Sequence, residues 1–177
     1  MALNKLGRLA LLLTLCLCVS LPALAVEALP LNLEELVLFL DGRDFALDTP
    51  AKPLVDAMKK GGQPVDSLEA DSCLFSGKDK EFSTQELLVG TLPLGDKGAD
   101  VIETLMVLSG DHLTRRGIGL GSKGEDILTA YGEPTLRDYD LIIYTIDGAM
   151  DSPQLVFVMD LATDTVQSYY YFLNTQG

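Results

Sequence analysis

The chain of 177 residues predicts an α+β fold: a tandem repeat of a short helix packed on an antiparallel β-sheet, preceded by a signal peptide. Three observations carry this expectation. Two short helix-like segments each stop at a glycine, and each is followed by apolar, strand-like runs. The stops, "GGQP" at 61–64 and "YGEP" at 131–134, lie 70 residues apart, so Gly62 falls on Gly132 and Pro64 on Pro134. At the same shift "CLFSG" (73–77) meets "IYTID" (143–147), and "DVIETLMVL" meets "DTVQSYYYFL" at a shift of about 65. Finally, the first 25 residues read as a leader, which divides the chain into 1–25, a hairpin plus first repeat over 26–110, and a second repeat over 111–177.

The leader has the three parts of a secretory signal. "MALNKLGR" carries Lys5 and Arg8 and no acid, "LALLLTLCLCVSL" (9–21) is apolar, and Ala23 and Ala25 are the small residues ahead of a cleavage point before Val26. A spanning helix needs about 20 apolar residues, and Pro22 ends this run sooner. Cleavage after Ala25 predicts a secreted or extracytoplasmic protein with no membrane span. Val26 stands where a lipoprotein would carry cysteine.

The elements follow in order. "LEELVLFL" (33–40), Asp41-Gly42 and "FAL" (45–47) predict a β-hairpin with a turn-forming dipeptide. Thr49 before Pro50 reads as N-cap and first residue of a helix over "AKPLVDAMKK", stopped by Gly61-Gly62. "SCLFSG", "EFST", "ELLVGTL" and "VIETLMVL" read as strands. A second helix, Ser122 to Tyr131, stops at Gly132. "YDLIIYTI", "QLVFVMD" and "TVQSYYYFL" complete the set.

Charge bounds the partners. The chain holds 13 basic and 26 acidic residues; without Lys5 and Arg8, 11 basic residues face 26 acidic ones, a net charge of −15. Such a surface repels phosphate backbones and anionic lipids, which argues against nucleic acid. The mature chain would keep only Cys73, so no intrachain disulfide is expected, and Cys73 reads as a small buried hydrophobe.

"GIGLGSKG" raises the one question of cofactor chemistry, because Gly119, Gly121 and Gly124 spell G-x-G-x-x-G. In a dinucleotide fold these glycines come directly off a strand and open a long crossover helix. Here "SGDHLTRR" intervenes and the helix is short. Ser122 with Glu125 forms S-x-x-E, a capping box that accounts for the helix start without a ligand. No cofactor is expected.

"SCLFSGKDKEF" followed by "LTRRGIGLGSKGEDILTAYGEP" resembles uncharacterised exported proteins of clostridia and related anaerobes. Cys73, Phe75, Gly77, Asp79, Lys80 and Phe82 match the first half of their pattern. Thr114, Gly117, Ile118, Gly121, Ser122, Ile127, Leu128, Tyr131 and Gly132 match the second. The resemblance covers roughly residues 45–135 and implies no activity, ligand or site residue. The repeat unit is also similar at fold level to tandem helix-on-sheet binders such as the β-lactamase inhibitory protein and the small lipoprotein of outer-membrane barrel assembly, an analogy that implies no specific role.

Catalytic and metal motifs are not found. His112 is the single histidine, and no Cys/His set suits zinc. The turn acids Asp41/Asp44, Asp96/Asp100, Asp147/Asp151 and Asp160/Asp164 lack the spacing of a calcium loop and read as solvated turns. Lys80 and Lys123 read as surface cations. The chain is expected to be a non-catalytic binding module acting through a sheet face, partnered by an envelope or secreted protein; the alternative is a cell-envelope hydrolase in which His112 meets acids. In "QLVFVMD" Leu155, Phe157 and Met159 oppose Val156 and Val158. In "TVQSYYYFL" Val166, Tyr170 and Phe172 oppose Tyr169, Tyr171 and Leu173. Tyr169 and Tyr171 are the expected binding residues, offering apolar rings with a hydroxyl.

Overall fold

The computed structural model describes residues 28–94 and 99–175. The expected signal peptide and its cleavage point lie outside them. The described chain is α+β and dominated by antiparallel sheet. A short 3-10 turn (Leu33–Glu35) leads into the hairpin of β1 (Val37–Leu40) and β2 (Arg43–Ala46), followed by α1 (Lys52–Lys60) and four strands: β3 (Asp66–Asp71), β4 (Lys78–Ser83), β5 (Leu87–Leu92) and β6 (Val101–Val107). Then come α2 (Gly124–Tyr131), β7 (Leu136–Asp138), β8 (Leu141–Thr145), β9 (Gln154–Asp160) and β10 (Thr165–Phe172). The eight strands β3–β10 make one sheet in the order β3-β4-β5-β6-β10-β9-β8-β7.

The hairpin forms as its turn dictates. Asp41 (φ 50°) and Gly42 (φ 75°) both take positive φ, the requirement of a two-residue type I′ turn, and Leu40 pairs with Arg43 across it. Helix α1 buries Leu54, Val55, Ala57 and Met58 on one side. Its start differs from expectation: Ala51 is the N-cap and Pro53 lies in the first turn, while the Thr49 hydroxyl donates back to Ala46 O. Gly62 has φ 79° and Gly132 φ 76°, so both stops use the conformation only glycine enters cheaply. Gly132, with ψ −155°, sits in the extended glycine-only region rather than the left-handed helical one.

Helix α2 starts one or two residues later than "S-x-x-E" suggests. Lys123 is the N-cap, and Asp126, not Glu125, accepts the hydrogen bond of the Lys123 N–H (2.9 Å). Ser122 Oγ instead accepts from the Gly119 N–H (3.1 Å). The glycines have packing reasons of their own. A Cβ on Gly119 would lie 2.8 Å from His112 O, and one on Gly124 would lie 2.9 Å from an Asp164 carboxylate oxygen.

Two strands were not anticipated, and one expected strand is a connection. β3 and β7 are exposed along their whole length. "SCLF" belongs to the bends between β3 and β4, where Cys73 is exposed rather than buried. The core lies on one face of the sheet. It joins Leu54 and Met58 of α1, Ile127 and Tyr131 of α2 and Leu38 and Phe45 of the hairpin to Val89, Leu105, Phe157 and Tyr169.

Candidate functional site

The register decides which side chains share a face, because paired residues in an antiparallel ladder point the same way. Tyr169 pairs with Val107 and Phe157, and Tyr171 with Leu105 and Leu155, all members of the core under the helices. Tyr169 is 0% exposed and Tyr171 1%. The expectation that these two rings offer a binding surface is therefore corrected: they are core. Their hydroxyls are buried without a hydrogen-bond partner, and burial pushes both phenols well above their usual pKa. Rings at 5.8–6.0 Å link Phe157, Tyr169 and Tyr171 into one aromatic row.

The opposite face carries the other parity. Leu88 pairs with Met106, Met106 with Tyr170, Tyr170 with Val156, and Val156 with Ile143. This apolar line crosses β5, β6, β10, β9 and β8, on the order of 20 Å at ordinary strand spacing. None of its members belongs to the core under the helices. Val156 and Ile143 are buried, whereas Leu88, Met106 and Tyr170 remain half-buried. Phe172, Val158 and Leu141 flank the line on the same face. The strand thus holds an available tyrosine, Tyr170, one position from each of those the sequence suggested. The parity of Val166 also differs from expectation. A register shift between Val166 and Ser168 absorbs Gln167 as a bulge, and Val166 joins the core.

Charge on this helix-free face has one sign. Register places Asp66, Asp79, Glu81, Asp138 and Asp160 there. The strand cations Lys78, Lys80 and Arg137 take the other parity, pairing with Asp71, Thr91 and Ile142. Glu103 sits at the β5/β6 register shift beside Thr104, with its carboxylate accepting from Thr175 Oγ1 (3.2 Å). Burial, opposed by that hydrogen bond and aided by the nearby Asp79 charge, raises its pKa. One carboxylate oxygen of Asp79, Oδ1, is buried without a hydrogen-bond partner among the described residues.

Three other places hold polar groups. His112 Nε2 lies 3.5 Å from Glu86 Oε2, and Gln63 Nε2 donates to Glu86 Oε1 (2.8 Å). The neighbouring Thr84 hydroxyl accepts from the backbone N–H groups of Glu86 and Leu87, so it serves the turn. A groove of about 640 Å³ beside α2 is lined by Leu29, Glu35, Arg116 and Ala130. Arg116 is fully engaged there: it grips both oxygens of Glu35 (2.6 and 2.8 Å), donates to Leu29 O, Pro30 O and Ala130 O, and stacks over Tyr131 at 4.6 Å. It fastens segment 29–35 to α2, a role that "TRR" in the sequence does not announce.

The glycine-rich stretch is likewise occupied by its own chain. The N–H groups of Gly119, Gly121, Ser122, Lys123 and Gly124 donate to Ser122 Oγ, Val166 O, Gly119 O, Asp126 Oδ2 and Asp164 O. A phosphate cradle needs such amides free. Four of the turn acids also have local partners: Asp44 pairs with Arg115, Asp100 with Lys80 (2.7 Å), Asp147 accepts from the Ala149 N–H and Asp160 from the Ala162 N–H; Asp96 lies outside the described residues. Lys80 is thus part of a half-buried pair, and Lys123 Nζ donates to Thr163 O. Among the described residues, no group of three or more His, Cys, Asp or Glu side chains is placed to hold a metal ion, and no helix is long and apolar enough to cross a membrane.

No family model, curated protein or solved structure matches the chain.

Proposed function

We propose that the protein is an exported, non-catalytic binding module that engages another protein of the envelope or secreted fraction through the helix-free face of its sheet. The observation that carries this reading is the apolar line Leu88–Met106–Tyr170–Val156–Ile143, which the helices and hairpin leave alone. An ordinary one-sided sheet places polar residues on its solvated face. Leu88, Met106 and Tyr170 keep part of that line accessible, and apolar surface rimmed by charge marks an interaction site.

The test is capture by the immobilised chain from the producer's own envelope and secreted fractions, compared with Met106→Ser/Tyr170→Ser. The expected outcome is loss of the captured partner in that variant and its retention in Leu161→Ser, a control at an exposed residue in the β9–β10 turn. Identical capture by all three would sink the reading. The hydrolase alternative rests on His112 beside Glu86 and predicts an activity abolished by His112→Asn instead.

Export is part of the same proposal: processing after Ala25 gives Val26 as the mature N-terminus, and N-terminal sequencing that returned Met1 would refute it. A tandem duplication is supported by element order. α1 precedes the meander β3-β4-β5-β6, α2 precedes β7-β8-β9-β10, and the two sets of four meet at β6 and β10. The resemblance to exported clostridial proteins adds no role for any residue.

A further inference from the structure

We infer that the partner of the helix-free face is a basic polypeptide segment with apolar side chains, and that one of its Lys or Arg side chains docks at Asp79 and Glu103. This rests on the binding role proposed above for the same face and specifies its occupant.

Charge complementarity is the first argument. Acids stand on both sides of the apolar line: Asp66, Asp79 and Glu81 on β3 and β4, Asp138 and Asp160 on β7 and β9. No Lys, Arg or His occupies a strand position of that face among the described residues. The described cations are on the helices, the hairpin, segment 115–123 or the helix-side parity of the strands. A strip with one sign of charge and low-dielectric walls selects the opposite sign.

The acidic pair supplies a second, independent argument. Among the described residues no donor reaches the buried Asp79 Oδ1, an arrangement that costs free energy. Beside it, Glu103 accepts from the Thr175 hydroxyl, and the proximity of Asp79 works against its ionised form. A cation with several N–H donors, placed against the two carboxylates, offsets that repulsion. The half-buried part of the adjacent apolar line, Leu88, Met106 and Tyr170, spans three strands, on the order of 10 Å, longer than a small amine. A polypeptide carrying a cation and several apolar side chains fits both features. A second copy of this chain fits poorly, because two such faces would oppose acid to acid.

The experiment uses the chain as isolated from cells expressing the full sequence, with three synthetic peptides as probes: alternating Lys-Leu, alternating Glu-Leu and alternating Lys-Ser. Fluorescence anisotropy should show tightest binding to Lys-Leu. Asp79→Asn/Glu103→Gln should weaken it at least about tenfold. The control Glu34→Gln/Glu125→Gln, which removes the same charge from exposed positions elsewhere, should change it less than about twofold. Glu81→Lys, outside that pair, should also weaken binding and serves if the double variant fails to fold. Equal losses in the pair and its control would reduce the effect to net charge and overturn the inference. If Glu-Leu binds as tightly as Lys-Leu, and Tyr170→Ser abolishes both, the face binds without selecting a cation; the inference then fails while the binding role stands. If Tyr170→Ser alters nothing, that role fails too. Calcium binding that the Asp79/Glu103 variant loses, with the peptides unaffected, would make the pair a metal site and overturn the inference. So would a dimer in sedimentation that Tyr170→Ser dissociates.

Discussion

The two faces of the large sheet are built from nearly the same residue types and are used differently. Under the helices, Tyr169 and Tyr171 fill the core beside Phe157, Leu105 and Val107. On the other side Tyr170 and Phe172 lie over Met106, Thr104 and Val156. Adjacent positions on β10 thus answer to different constraints. The covered face is shaped by packing, and its Tyr169 and Tyr171 rings meet edge to face. The helix-free face keeps half-buried side chains and a rim of acids. What separates the core from the second face here is which side the helices reach, not hydrophobicity.

The largest break in this comparison is expected from Tyr169→Ala against Tyr170→Ala. Truncating the fully buried Tyr169 opens a cavity in the core and should cost about 3–5 kcal/mol. The same change one residue later removes a half-buried ring from cross-strand contacts and should cost only about 1 kcal/mol. Chemical denaturation of both variants measures the difference. Equal losses would mean that the second face is as tightly packed as the first, and would remove the ground for calling it a surface.

A smaller effect concerns hydroxyls. Tyr169 and Tyr171 bury O–H groups with no partner, so each pays desolvation without a hydrogen bond in return. Tyr171→Phe should be neutral to about 1 kcal/mol more stable. A loss above about 1 kcal/mol would reveal a partner for that hydroxyl, such as a bound water.

These side chains also show how far the sequence could be read. The hairpin was legible because Asp41-Gly42 admits few alternatives, and β5, β6, β8, β9 and β10 were legible as apolar runs bounded by turns. β3 and β7 were not: "DSLEAD" and "LRD" are exposed edge strands, and neither face leaves a burial pattern. "SCLF" has strand composition but serves as the connection between β3 and β4, since strand propensity yields to context. Both helix starts shifted by one or two residues, because Pro50 and Ser122 imitate starting signals while bonding elsewhere. Pro50 bridges to Val101, and Ser122 Oγ turns back to Gly119. Parity along β10 was correct for Tyr169 to Phe172 but wrong for Val166, where the bulge at Gln167 resets it. Which parity meets the helices is a tertiary fact, and with both faces apolar nothing local encodes it. The tyrosine pair was accordingly placed on the wrong side. The Asp79–Glu103 proximity depends on β4–β5–β6 pairing and the β6 bulge, and no spacing rule reaches it.

The smallest expected effect tests the acidic side of the comparison through pH. Glu103 has a pKa raised above the ordinary glutamate value, chiefly by burial, with Asp79 adding repulsion against the Thr175 hydrogen bond. A carboxyl raised in the folded state holds its proton longer there than in the unfolded chain. Its contribution therefore favours folding at low pH, declines as pH rises from the unfolded pKa through the raised folded one, and is fully lost above it. Asp147, held low by the Ser152 hydroxyl, and Asp160, held low by the Ala162 N–H, act with the opposite sign, so the profile of the parent chain alone would not isolate Glu103. The difference between the parent and Glu103→Gln does. The variant should melt higher than the parent at neutral pH, and the gap in Tm should close as pH falls through the carboxylate range. A gap that stays constant with pH would mean that Glu103 ionises normally in the fold, and that Asp79 and the β6 bulge place no strain on its charge.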